Sequence, residues 1–298
     1  EDNPAELARA RRNERYLPGA EFPSSLAIEP DIAKAIASGD DLLLAVPSSA
    51  LRIVLQQIKP LLGPQARVAW ASKGFELSTG KLPHQVAQEV LGLKIPLAVL
   101  SGPTFAREVG EGLPTAIAVA SPDSAFALGL AKSLSADNFR AYTQTDIVGV
   151  EIGGAVKNVI AIATGGSDGM GYGSNSRVFL ITRGLAEMVR LGVALGAKQE
   201  TLMGLAGLGD LVLTCTDDQS RNRRFGRALA SGKPIDQAIA EIGQVVEGYH
   251  AAKAVHMVAK KLGVDMPICE HVYQVLYEGM AIPEVVESML RREVSAEN

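Results

Sequence analysis

Up to about Thr145 the chain alternates short, continuous apolar runs with stretches of helical periodicity; beyond that point strand signals cease. The runs are Leu42–Val46, Arg67–Ser72, Leu97–Leu100, Thr115–Ala120 and Phe139–Tyr142. The first three lack the polar alternation of a half-exposed strand, so they suit strands covered on both faces. Between them lie the helical stretches Asp31–Ser38, Ser49–Leu62 and Leu82–Leu91, while Glu1–Arg15 reads as a crossover helix feeding Leu17. Such alternation dictates a doubly wound, mostly parallel α/β sheet with right-handed crossovers. Downstream, Asp146–Thr164, Arg177–Leu195, Arg221–Leu229, Pro234–Glu241, Glu247–Leu262, Pro267–Tyr277 and Pro283–Arg291 all carry helical spacing. The expected organisation is an α/β domain over residues 1–145, followed by an all-α domain over residues 146–298.

At 298 residues, 47% hydrophobic and 21% charged, the chain is long enough and apolar enough for two cores. A net charge of −4 offers no electrostatic footprint for nucleic acid. Apolar runs such as Leu42–Pro47 and Val159–Ala163 are too short to span a bilayer, so no integral membrane segment is expected. Cys215 and Cys269 have no metal-type spacing and suit the reducing cytoplasm. The histidines, His84, His250, His256 and His271, are scattered; no metal ligand set is read from them.

An α/β domain of Rossmann type normally opens with a strand, a G-x-G-x-x-G turn and a helix, the dinucleotide-binding fingerprint. No such turn follows an apolar strand here, since Gly165-Gly166 and Gly169–Gly173 come after a helix. The reading therefore expects a first βα unit of roughly 30 or more residues before Glu1.

In open α/β sheets ligands bind beyond the carboxyl ends of the strands. Lys73 directly follows Ala71-Ser72, where its amine would reach the crevice, although a surface lysine at a turn fits equally well. Ser101-Gly102-Pro103-Thr104-Phe105 would expose backbone N–H groups near a helix start, suiting an anion or a ribose, or would be a plain turn. Lys157 is more telling. Within Ile152–Ala163 only it and Asn158 are strongly polar, and glycines three and four residues before it admit another backbone or a ligand. Partial burial disfavours an ammonium charge, so such a lysine can exchange protons; a lysine snorkelling to solvent is the plain alternative. Asp210 would start a short helix with Thr214 one turn later on the same face. Ser220-Arg221-Asn222 opens a further helix, where free N–H groups and an arginine fork favour a phosphate.

Taken together, Trp70–Glu76, Leu100–Ala106, Gly153–Ala161, Gly207–Cys215, Ser220–Gly226 and Gln244–Gly248 resemble, in order, the bacterial-type NAD(P)-dependent glycerol-3-phosphate dehydrogenases. The resemblance implies reversible hydride transfer between dihydroxyacetone phosphate and sn-glycerol 3-phosphate, supplying the latter for phospholipid synthesis. It implies that Lys157 donates the proton to the carbonyl oxygen, and that Lys73 holds the substrate near the nicotinamide. Asp210, Ser220, Arg221 and Asn222 would bind the substrate's hydroxyls and phosphate, with Asn158 and Thr214 lining the same pocket and Gly102 and Thr104 touching it. The cofactor, NAD or NADP, would meet Lys73, Gly102, Thr104, Ala106, Arg221, Val245 and Glu247. A homodimer in the cytoplasm is also implied.

Two other readings stay open on the residues alone. A β-hydroxy-acid reductase also pairs a similar nucleotide domain with a helical one and a helix lysine, but its substrate carries a carboxylate; Ser220–Arg224 favours phosphate. A non-catalytic ligand-binding remnant is suggested by the absent glycine turn.

Overall fold

Strand residues alternate between two apolar layers, and this places the sheet in the middle of its unit. The computed structural model describes residues 3–290. Its strands are β1 (Arg12–Asn13), β2 (Leu17–Glu21), β3 (Asp41–Leu44), β4 (Arg67–Trp70), β5 (Leu97–Ser101), β6 (Thr115–Ala120) and β7 (Phe139–Gln144). Its α-helices are α1 (Pro4–Ala10), α2 (Ile32–Ala37), α3 (Ser48–Ile58), α4 (Pro83–Leu91), α5 (Ala106–Gly110), α6 (Ser124–Leu134), α7 (Ile147–Gly169) and α8 (Ser174–Ala194). They continue with α9 (Gln199–Leu202), α10 (Asp210–Thr216), α11 (Arg221–Ala230), α12 (Ile235–Ile242), α13 (Glu247–Leu262), α14 (Pro267–Tyr273) and α15 (Ile282–Leu290).

Two compact units result, Glu1–Gly154 with Gly196–Asp210, and Ala155–Leu195 with Leu211–Asn298. The division falls within α7, after Gly154, and after the first residue of α10.

In the first unit β3 to β7 lie side by side in sequence order. Val68, Trp70, Leu97 and Val99 point to one face, where Leu51, Leu55 and Ile58 of α3 and Val86, Ala87 and Val90 of α4 cover them. Ala69, Ala98 and Leu100 point to the other, against Phe126, Ala127, Leu130 and Ala131 of α6. Each fully buried side chain of this size contributes roughly 1.5–3 kcal/mol, so double coverage explains why these strands are apolar throughout. The doubly wound, mostly parallel α/β fold is as expected. β3–β4, β4–β5 and β6–β7 are parallel, but β5 and β6 run antiparallel.

The predicted helix over Glu1–Arg15 is shorter. α1 stops at Ala10 because Arg11 turns left-handed (φ 54°) and its guanidinium donates to Leu26 O and Pro23 O. Arg12–Asn13 and Leu17–Glu21 then form a small antiparallel pair. Glu1, Asp2 and Arg291, at the ends of two predicted helices, lie outside the described residues. α7 runs past the predicted end at Thr164 to Gly169, and α6 emerges where no helix was read.

The second unit packs α7 against α11 with backbone on backbone. A Cβ on Gly165 would sit 2.0 Å from Arg223 O, and one on Gly226 would sit 2.1 Å from Ile162 O. Only hydrogen atoms fit there, so glycine sets the approach of the two helices. Elsewhere in this unit a buried carboxylate caps a helix. Glu187 of α8 accepts from the backbone N–H groups of Ile268 (2.6 Å) and Cys269 (3.1 Å), first-turn donors of α14. Burial still pushes its pKa up to about 7, against the opposing pull of those N–H groups.

A folded pKa above the unfolded value stabilises the protonated form, so the unit is most stable below the unfolded pKa and loses stability as pH rises through 7. The loss is about 3 kcal/mol. We expect the melting temperature to fall by roughly 6–12 °C between pH 5 and pH 8. Glu187→Gln should flatten that slope while losing one cap bond; an unchanged slope in the variant would assign it to other groups.

Candidate active site

The first unit gathers one cluster at the carboxyl end of β4 and β5. β4 ends at Trp70, and Ala71 N still donates to Leu44 O at 3.0 Å. Ser72 is buried and its hydroxyl donates to Val46 O at 2.5 Å. The chain then turns at Gly74 (φ +108°), leaving the Lys73 stem stretched across Gly154 of α7. A Cβ on Gly154 would stand 3.2 Å from both Lys73 Cγ and Ser101 Oγ. Lys73 Nζ donates to Asp210 Oδ2 at 2.7 Å, and Asp210 is 1% exposed. A nearly dry carboxylate requires a charged partner, and the ammonium supplies it.

The glycines before Lys157 each admit a neighbour of known identity. Gly153 faces the Ala206 carbonyl, 2.2 Å from where its Cβ would be, and Gly154 faces the Lys73 stem. Gly102 is likewise fixed by backbone, since its Cβ would come within 3.2 Å of Ile117 Cα on β6. Thr104 donates to Gly102 O at 3.2 Å and is part-buried, while Ala106 opens α5 exposed.

In the second unit Lys157 is 7% exposed and its Nζ donates to Thr214 Oγ1 at 3.0 Å. Thr214 lies one helical turn after Asp210 on α10, the spacing read from the sequence. Asn158, Asn222 and Glu247 form a second cluster. Asn222 Nδ2 donates to Asn158 Oδ1 (2.9 Å), Asn158 Nδ2 to Glu247 Oε2 (3.2 Å), and Gly248 N to Asn222 Oδ1 (2.8 Å). Val245 is exposed.

Ser220 is the N-cap of α11 and its hydroxyl accepts from Arg223 N at 3.2 Å. That leaves the N–H groups of Arg221 and Asn222 as first-turn donors. The arginines of this motif divide in role. Arg223 is 6% exposed and holds Asp168 (2.6 Å) and Asp218, and Arg177 holds the other side of Asp168 at 2.7 Å. Burial raises the Asp168 pKa, but the two guanidinium groups outweigh it and hold the carboxyl below its usual range. Arg221 is part-buried, and among the described residues its guanidinium has no hydrogen bond or ion pair. A half-buried cation without a protein partner at a helix N-terminus is suited to an anionic ligand.

Sequence reasoning did not single out Glu151, His84 or Asp168. Glu151 carried the same signal as Lys157, a charge on an otherwise apolar helix; Asp168 carried none, because its arginines are 9 and 55 positions away.

The comparisons agree along nearly the whole chain. The model described as NAD-dependent glycerol-3-phosphate dehydrogenase N-terminus matches residues 1–127, and its C-terminus counterpart matches residues 146–287. A Photobacterium profundum protein named glycerol-3-phosphate dehydrogenase [NAD(P)+] is 54% identical over 97% of this chain and 86% of its own length. A Vibrio vulnificus protein of the same name is 55% identical over 98% of this chain and 85% of its own. A crystal structure of glycerol-3-phosphate dehydrogenase from Coxiella burnetii superposes with a TM-score of 0.94 at 45% identity, covering 97% of this chain and 88% of that one. The chain belongs to the NAD-dependent glycerol-3-phosphate dehydrogenase family.

Proposed function

We propose that Lys157 moves the proton, and Arg221 holds the phosphate, in the reversible reduction of dihydroxyacetone phosphate to sn-glycerol 3-phosphate. The enzyme is an NAD(P)-dependent glycerol-3-phosphate dehydrogenase, and supply of glycerol 3-phosphate for phospholipid synthesis is part of the same proposal. The observation that carries the residue assignment is the buried Lys157 amine, held on the Thr214 hydroxyl within an apolar helix.

The bound nicotinamide supplies or accepts the hydride. The chain's own residues do the rest. In reduction the Lys157 ammonium gives its proton to the substrate's carbonyl oxygen as that oxygen gains charge; in oxidation the neutral amine takes it back. Thr214, accepting from Nζ, fixes where the amine points. Lys73, tethered by Asp210, presents a fixed positive charge to the oxygen-rich substrate. The Arg221 fork, which no described residue pairs, and the first-turn N–H groups of α11 suit the phosphate dianion, with Ser220, Asn222 and Asn158 supporting them. Gly102, Thr104 and Ala106, on a turn at the carboxyl edge of the sheet, fit a dinucleotide, as does that edge in other open α/β sheets. Val245 and Glu247 are assigned to the same cofactor. We also propose the cytoplasm as location, which suits Cys215 and Cys269, both buried and in no disulfide among the described residues, and a homodimer as assembly.

Oxidation of NADH or NADPH by the full-length protein is expected with dihydroxyacetone phosphate and not with a 3-oxo acid. Arg221→Ala should raise the KM for dihydroxyacetone phosphate by roughly 10–100-fold, the value of a charged hydrogen-bond pair, with a smaller change in kcat. An unchanged KM removes Arg221 from the phosphate site.

A further inference from the structure

Glu151 is a carboxylate enclosed in the first unit, 3% exposed, on the first turns of α7. Oε1 accepts from Trp70 Nε1 at 3.1 Å and from the backbone N–H of His84 at 2.9 Å, while Oε2 meets His84 Nδ1 at 2.5 Å. His84 N is a first-turn donor of α4, so the carboxylate caps that helix from outside. Burial raises the Glu151 pKa, and the bonds from His84 and Trp70 oppose that rise. A group so costly to bury is retained where its bonds fix something.

What it fixes follows from spacing. Glu151 and Gly154 are three residues apart on α7 and share one face. Trp70 and Lys73 are three residues apart along the strand end. The helix therefore meets this segment twice, through Glu151 at Trp70 and through Gly154 at the Lys73 stem, 3.2 Å from the Cβ position. The first contact sets the height at which the second occurs, and hence where the Lys73 amine stands on Asp210.

We propose that Glu151 is a positioning residue for Lys73, pinning the end of β4 to α7 so that the Lys73 amine is held in reacting position. This rests on Lys73 being a substrate-holding group, as argued above.

In the full-length enzyme, Glu151→Ala is expected to lower kcat by roughly 10–100-fold, since misplacement by about 1 Å can cost 10². Glu151→Gln should keep most of the activity: its carbonyl oxygen accepts from Trp70 and His84 N, and its amide faces His84 Nδ1. Trp70 is the one tryptophan of the sequence, so its fluorescence should change in Glu151→Ala and much less in Glu151→Gln. Should Glu151→Ala not fold, Trp70→Phe removes the indole donor with part of a buried ring and should lower kcat in the same direction.

A double-mutant cycle completes the test. If Glu151 acts through Lys73, Glu151→Ala adds little to Lys73→Ala. Losses that multiply overturn the proposal, as does a folded Glu151→Ala with unchanged kcat. If Lys73→Ala itself leaves turnover intact, the reading of Lys73 fails instead.

Discussion

Lys157→Ala is expected to reduce kcat by about 10²–10⁴-fold, the usual contribution of a general acid or base, while leaving the dissociation constant for NADH nearly unchanged. The reasoning is local. Within Ile152–Ala163 only Lys157 and Asn158 are strongly polar, and Asn158 is already bonded to Asn222 and Glu247. Lys157 alone combines burial, a proton to give and a neutral partner, Thr214, that orients the amine. The decisive comparison is single-turnover reduction of dihydroxyacetone phosphate against NADH binding by calorimetry. Retention of more than about a tenth of the wild-type rate would end the assignment.

Gly165→Ala is expected to cost about 3 kcal/mol or more in stability, because the added methyl would lie 2.0 Å from Arg223 O and 2.8 Å from Arg223 C. Neither is the end of a flexible side chain, so α7 and α11 must separate. Separation would in turn loosen Arg223 on Asp168 and the helix start that carries Ser220, Arg221 and Asn222. Gly166→Ala makes an internal control at the next position. There the nearest atoms to a Cβ are 4.0 Å away, and alanine is the better helix former by roughly 1 kcal/mol. Thermal unfolding should show the first variant well below wild type and the second at or above it. Equal melting temperatures would mean that the helices accommodate the methyl without strain.

These glycines also show where sequence reasoning reached and where it stopped. The apolar runs located the strands of the main sheet to within a residue or two; burial on both faces forces that composition on β4 and β5, whereas β3, expected to be covered on both faces, leaves Leu43 exposed. The same composition says nothing about direction, so the antiparallel turn between β5 and β6 was not legible. At Thr164 the helical pattern meets Gly165-Gly166, poor helix formers, which predicts an end to α7 there; packing against α11 overrides that preference. The hairpin after α1 escaped notice because two- and five-residue strands are too short to show a period. Around the site, Lys157, Lys73, Asp210 and Ser220 stood out as polar residues at strand ends, helix starts or in apolar surroundings. Their partners were partly visible, since Thr214 follows from helical spacing, but the Lys73–Asp210 pair spans 137 residues and leaves no local trace.

α7 has one further consequence, during synthesis. By length and composition its 23 residues could cross a membrane, and in the folded chain 89% of its apolar 18-residue window is buried. The α11 backbone that covers Gly165 lies roughly 60 residues downstream, so at ~5–20 residues per second the ribosome leaves this helix uncovered for some seconds. In that interval it resembles cargo for the membrane insertion machinery. A lysine near the middle of an apolar helix costs about 2.5–3.5 kcal/mol on the insertion scale. Lys157 stands there. The side chain assigned to proton transfer in the finished enzyme thus also weighs, before folding is complete, against α7 being taken for a membrane span.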